Sequence, residues 1–330
     1  MTSRSNFQSC IGLYIEQFLA HKRALGRRYD VESKTLALLD AYLLDKRVGS
    51  LSEVTPDLVD AFLRSRPRAR PRSYNHLRCT IGRLFSYLVD HDQITVSPLR
   101  SAPRSARYER TPFIFDVVAA RRLLALAKTL PSNGGTLDRG PTYHAIFAIL
   151  YGLGLRVGEV CRLRLQDVDL QRRLLEIHET KFYKSRLVPF GPKLEAILTD
   201  HICQRRGELA VEHQDDAPLF CLRGARPINP CTISQTFHSL VPRLDLKIAP
   251  GVTPPRLHDL RHAFAVGVLT RWYRLGLDPQ AHLLALSTYM GHVDVSSTAV
   301  YLTMTPELLE LANHRFEAFA AATLQEDLSS

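Results

Sequence analysis

The stretch from residue 95 to residue 112 limits what this chain can fold into more than any other. It places Pro98, Pro103 and Pro112 among Ser and Arg, with little apolar content. Proline lacks a backbone N–H and breaks helices and central strands, so no single core runs through it. The chain therefore reads as two folded parts, residues 1–95 and 113–330, joined by a basic linker at 96–112. With 330 residues and 45% hydrophobic content, both parts can bury a core.

The charge is concentrated around that break. The chain carries a formal +10, and residues 64–110 hold eleven Arg, no Lys and three acids, Asp90, Asp92 and Glu109. A balance this basic points to a polyanion, either nucleic acid or an anionic membrane surface. Arg used to the exclusion of Lys favours bidentate contacts with phosphate over a solvated charged face. No run approaches the roughly 20 apolar residues that a membrane-spanning helix needs. The six Cys, at positions 10, 79, 161, 203, 221 and 231, form no C-x-x-C pair and no zinc-finger spacing. The first residues lack the apolar stretch of a signal peptide. Reduced thiols and a cytoplasmic location are the expectation.

Apolar spacing predicts a four-helix module first. Ile11, Tyr14, Ile15, Phe18 and Leu19 fall at i, i+3, i+4, i+7 and i+8 within residues 7–25. A second helix follows over 31–46, around Leu36, Leu39 and Leu43. Thr55-Pro56 starts a third by N-cap and first-turn proline logic. After breaks at Pro67 and Pro71, a fourth carries Leu77, Ile81, Leu84, Phe85 and Leu88 beside Arg72, Arg78 and Arg83. The second part reads as helices near 116–130, 141–153, 192–207, 230–243, 258–275, 280–291, 295–303 and 306–322, with another opening close to Arg156. Two short strands are expected at Leu174–His178 and Arg186–Phe190, joined by a polar turn that holds Lys181 and Lys184. Pro218–Cys221 is a candidate third strand. The fold class is mainly α with one small antiparallel β-sheet.

The segment Leu257-His258-Asp259-Leu260-Arg261-His262 opens one of these helices and puts His258 and Arg261 one turn apart on one face. An imidazole can donate to a phosphate oxygen, or exchange a proton with it, near neutral pH; a guanidinium gives a permanent planar fork. A helix cap plus a salt bridge suffices for Asp259 and His262. Upstream, Arg156 sits in Gly152-Leu153-Gly154-Leu155-Arg156-Val157-Gly158-Glu159, where glycines allow close approach and a helix start favours an anion. Downstream come Gly291-His292 and then Tyr301. Tyrosine, with an ordinary pKa near 10, is a poor nucleophile unless cations or a base stand beside it. Two Arg and two His supply them. The chain has no P-loop and no convincing cluster of metal-binding carboxylates.

Taken in order, G-L-R-x-x-E, a Lys in a strand turn, H-x-L-R-H, G-H and then a Tyr resemble the tyrosine recombinase family of phage integrases and Xer proteins. The likeness spans about residues 113–303, and the helical module with its linker matches the family's core-binding domain. The resemblance implies an N-terminal, SAM-like core-binding domain at 1–95 and a C-terminal catalytic domain at 113–330 that form a clamp around DNA. It implies that Arg156 and Arg261 clamp a scissile phosphate, and that His258 and His292 bind its non-bridging oxygens and assist proton transfer. Tyr301 would attack, leaving a 3′-phosphotyrosyl link and a free 5′-hydroxyl. Lys181 resembles the family's hairpin Lys, the acid for the leaving 5′-oxygen, with Lys184 as its rival in the same turn.

DNA contacts are expected from Arg72, Arg78, Arg83, Arg104 and Arg107, and from Gln235 and His238 on a helix near 231–240. The implied partners are double-stranded DNA with specific sites, further copies forming a tetramer on synapsed DNA through the helix at 306–322, and accessory recombinases. No metal, ATP or other cofactor is implied. The setting would be a mobile genetic element in a bacterial, nucleoid-associated context. Two departures stand out: a long stretch between Arg261 and His292, around residues 271–279, and Met290 where the family commonly has Leu. A type IB-like topoisomerase and an idle DNA-binding accessory protein of the same fold are the other readings. The complete set of six residues weighs against the second.

Overall fold

The computed structural model describes residues 7–105, 111–132, 138–178, 185–207, 215–222 and 226–329. Two compact units divide the chain, Met1–Glu109 and Arg110–Ser330.

The first unit is four helices around one core: α1 (Gly12–Ala24), α2 (Asp30–Asp45), α3 (Pro56–Ser65) and α4 (Pro71–Asp90). Ile11, Ile15, Phe18, Leu36, Leu39, Phe62, Ile81, Leu84 and Phe85 are all fully buried, so the apolar stripes read from the sequence are the faces that meet. Burying side chains of this size is worth about 1.5–3 kcal/mol each against leaving them exposed. Thr55 caps α3 by accepting from the Leu58 N–H at 3.3 Å, and Pro56 takes the first turn. The other face of α4 leaves Arg72 and Arg83 exposed.

The second unit starts with α5 (Val117–Lys128), capped by Asp116, whose carboxylate accepts from the Ala119 N–H at 2.7 Å. It packs on α6 (Arg139–Leu153), which is buried nearly all round and forms the centre of the main core. A single turn, α7 (Val157–Val160), leads to a three-stranded antiparallel sheet of order β1 (Val168–Asp169), β2 (Leu174–Ile177) and β3 (Arg186–Pro189). Leu175 faces Val188 and Ile177 faces Arg186 in the register of β2 and β3. Then follow α8 (Pro192–Gly207), the antiparallel pair of β4 (Cys221–Leu222) and β5 (Arg226–Pro227), and α9 (Pro230–Leu240). The chain closes with α10 (Asp259–Arg274), α11 (Pro279–Met290), α12 (Ser296–Ala299), a 3₁₀ turn at Val300–Thr303, and α13 (Pro306–Ser329). No helix among the described residues is long and apolar enough to cross a membrane.

Two sequence expectations are corrected. The third strand of the sheet is Val168–Asp169, not Pro218–Cys221. Pro218 makes one isolated bridge to Arg164, and Cys221 pairs locally with Pro227 in a sheet of its own. The helix expected at 295–303 is one α turn followed by a 3₁₀ turn, which tightens the backbone around Tyr301.

Candidate active site

Two glycines and the ends of two helices set the positions of the guanidiniums. Gly154 ends α6 in the left-handed region (φ +61°), and its carbonyl accepts from Arg261 Nη1 at 2.5 Å. A Cβ there would lie 2.4 Å from the Phe264 ring on α10, so only glycine lets α6 and α10 approach this closely. Gly291 ends α11, also left-handed (φ +68°), and its carbonyl accepts from Arg156 Nη2 at 2.7 Å. The two carbonyls before it are used as well. Met290 O accepts from Arg261 Nη2 at 2.7 Å, and Tyr289 O accepts from Arg186 Nε at 2.8 Å. The partial negative charge at the end of a helix thus anchors three cations.

Glu159 completes the anchor. Its carboxylate accepts from the Arg156 N–H and Nη1, both at 2.9 Å, and from Arg186 Nη1 and Nη2 at 3.1 and 3.0 Å. Burial alone would raise the Glu159 carboxyl, but the hydrogen bonds and charge of Arg186, and then of Arg156, bring it below its usual range. One buried carboxylate among three guanidiniums leaves a local excess of positive charge. Arg261 is 2% exposed, and burial followed by the Arg156 charge pulls it down to about 10, so it stays protonated at neutral pH. The Arg156 side chain is 33% exposed, which leaves it the most open of the three to an incoming anion.

Tyr301 sits in the 3₁₀ turn, 3% exposed, with its hydroxyl 3.0 Å from His262 Nδ1. The His292 ring lies parallel to it at 6.4 Å, and His292 Nδ1 is fixed by Thr298 Oγ1 at 2.7 Å. His258, just before α10, stands perpendicular to His262 at 4.7 Å. Burial raises the Tyr301 phenol, and the Arg261 and Arg156 charges oppose that rise. All three imidazoles are held down to about 4, by burial first and neighbouring guanidiniums after it; for His258, the most exposed of the three residues, the His262 ring comes second. At neutral pH they are therefore neutral hydrogen-bonding groups, and the positive charge comes from Arg.

Of the residues picked out in the sequence, Arg156, His258, Arg261, His292 and Tyr301 come together here. Lys181, Lys184 and Arg107 lie outside the described residues. Gln235 and His238 are on the exposed face of α9, where His238 Nδ1 is 2.7 Å from the Ser234 carbonyl. In the first unit, Arg78 Nε donates to Ser101 O, and the Arg104 guanidinium lies 4.0 Å above the Tyr74 ring and donates to Arg68 O. These two Arg hold residues 101–104 against α4; Arg104 itself is exposed, as are Arg72 and Arg83. Sequence reasoning missed Arg186 as a third guanidinium, Glu159 as its partner, and His262 as the partner of Tyr301. Glu159 stood three residues after Arg156 in a helix start, which is the signal of a capping acid.

The phage integrase family model matches residues 120–307. The chain is 34% identical over 321 residues to the protein named "Putative integrase/recombinase y4rB" of Sinorhizobium fredii, covering 95% of this chain and 98% of that one. It is 25% identical over 300 residues to the tyrosine recombinase XerD of Lacticaseibacillus casei, covering 90% and 95%. In fold it is similar to the Tn1549 transposon integrase solved in complex with transposon right end DNA, with a TM-score of 0.66, 17% identity and coverage of 95% and 100%. A matched domain that holds Arg156, His258, Arg261, His292 and Tyr301, and a relative alike along nearly its whole length, leave one conclusion: the chain belongs to the phage integrase family of tyrosine recombinases.

Proposed function

We propose that this chain cuts and rejoins double-stranded DNA at specific sites, with Tyr301 as nucleophile, acting as a tetramer on two paired sites with or without accessory recombinases. The observation that carries the reading is a buried tyrosine hydroxyl, held by an imidazole, beside guanidiniums anchored to helix ends. In-line attack on a phosphodiester builds charge on its equatorial oxygens, and preorganised Arg156 and Arg261 stabilise it. His258 and His292 donate N–H to the same oxygens, and Lys181 protonates the leaving 5′-oxygen. The phosphotyrosyl link conserves the bond energy, so a new 5′-hydroxyl can be joined without ATP. Residues 1–95 and the linker at 96–112 bind the duplex through Arg72, Arg78, Arg83, Arg104 and Arg107, while Gln235 and His238 reach base edges.

The test starts from a pool of randomised duplexes, from which strands that become covalently linked to the protein are recovered and sequenced. A nicked suicide duplex of the recovered site should then trap a covalent adduct in EDTA and without nucleotide. Arg156→Ala or Arg261→Ala should slow trapping by ~10²–10³-fold. No adduct with the wild-type protein, or an adduct that persists in Tyr301→Phe, would sink the reading.

A further inference from the structure

We propose that His262, oriented by Asp259, accepts the proton of Tyr301 as the tyrosine attacks; this rests on Tyr301 being the nucleophile. Of the three imidazoles around the phenol, His262 is the one hydrogen-bonded to its oxygen, Nδ1 to Oη at 3.0 Å, with the rings 5.5 Å apart. On the far side of the ring, Nε2 lies 3.9 Å from Asp259 Oδ1. That is too long for a hydrogen bond, but at this range a buried carboxylate favours the tautomer with its proton on Nε2. Nδ1 is then left with the lone pair that the Tyr301 hydroxyl needs. Asp259 is fully buried and held in place by the Arg256 N–H at 2.9 Å and Arg256 Nη2 at 3.0 Å. The groups that face His262 are Arg256 and Arg261, which add to burial, the larger effect, in keeping the ring neutral before the attack, with Asp259, His258 and Tyr301.

The step balances. The Oη–H proton moves to His262 Nδ1, Oη bonds to phosphorus, and the bond from phosphorus to the 5′-oxygen breaks as that oxygen takes a proton from Lys181. Asp259 offsets the imidazolium so formed. In rejoining, a 5′-hydroxyl gives its proton back to Lys181 and bonds to phosphorus, and the departing Tyr301 oxygen recovers its proton from His262. His262 touches a reacting atom; Asp259 is a positioning residue.

The test uses the full chain and the suicide duplex described above, and is read only if the wild-type protein traps an adduct and Tyr301→Phe does not. His262→Asn keeps a polar partner for the hydroxyl but cannot take up its proton. It should cleave ~10²-fold or more slowly at pH 7, with a rate that climbs from pH 6 to 9 while the wild-type rate stays flat. A bridging 5′-phosphorothiolate at the cleavage point, whose leaving group needs no acid, should rescue Lys181→Ala and leave His262→Asn slow. A flat profile for His262→Asn, a loss under about threefold, or rescue by the phosphorothiolate would overturn the assignment. DNA retention in a gel and the melting temperature check that the variant is folded. Should His262→Asn fail to fold, Asp259→Asn is read instead; it should show a partial loss with the same climb with pH, and a flat profile there overturns the proposal.

Discussion

Gly291 carries more of this site than a residue without a side chain suggests. Its left-handed backbone turns the end of α11 so that three successive carbonyls meet Arg186, Arg261 and Arg156. A Cβ at Gly291 would lie 2.9 Å from the Arg186 guanidinium and 3.3 Å from that of Arg156. Gly291→Ala should thus cost about 1–2 kcal/mol in the left-handed backbone and push both forks out of place. A displacement of about 1 Å can cost ~10²-fold in rate. The expected outcome is a melting temperature lowered by several degrees, DNA binding retained in a gel, and adduct formation slowed ~10²-fold. Unchanged trapping would show that the glycine does not set the guanidiniums. Arg186→Met tests the buried end of the same network. It strips Glu159, whose side chain is 2% exposed, of two charged hydrogen bonds, and breaking a buried pair of this kind costs ~3–5 kcal/mol. The exposed pair of Arg274 and Glu307 is the control; Arg274→Ala should cost under about 1 kcal/mol by urea denaturation. Equal losses would refute the ranking. Five residues of this cluster could be picked from the sequence because their types and order were informative. Arg186 could not, since its partners are 27 and 103 residues away in the chain and only the meeting of β3 with α11 joins them.

At the scale of elements, helices with long apolar stripes or clear caps were readable, and α1–α6 and α9–α11 lie within a few residues of where the spacing put them. The short elements were not. A two-residue strand such as Val168–Asp169 has no period to detect, and its pairing with Leu174–Leu175 is a local turn effect. The long stretch after Arg261 proves to be an extended α10 and a turn at Gly276 that seats α13. Arg315 donates to Leu277 O at 2.6 Å, Arg274 pairs with Glu307 at 2.7 Å, and Leu308 is fully buried. Beyond Leu308 the helix leaves Leu309 and Phe316 exposed, at 49% and 68%. An apolar stripe left open next to a seated helix start supports contact with a second copy. Phe316→Asp should therefore leave first-strand cleavage within about threefold, since it lies outside the cluster around Tyr301, while sharply reducing exchange between two duplexes. Exchange at the wild-type rate would remove α13 from the assembly.

For the whole molecule, the neutral imidazoles make acid act in opposite directions on the free protein and on its DNA complex. His262 is 17% exposed and held down to about 4, whereas an unfolded histidine titrates near 6.5. The unfolded chain then binds more protons in this window, so the stabilising contribution is complete above pH 6.5 and is lost as pH falls toward 4. The difference corresponds to about 3 kcal/mol for His262 alone. Melting temperature should fall over this range, and His262→Asn should flatten that part of the curve. A scissile phosphate reverses the sign for His258 and His292, because an anion placed among their N–H groups favours the charged form. DNA binding should then take up protons between pH 4 and 6.5, and affinity should tighten as pH falls wherever the protein remains folded. Calorimetric titration with the recovered site, run in two buffers of different ionisation enthalpy at pH 5.5, reads the uptake directly. A binding enthalpy that does not depend on buffer would mean that the imidazoles do not meet the phosphate. Tyr301→Phe keeps the cations and imidazoles and should show the same uptake, which separates binding of the phosphate from its cleavage.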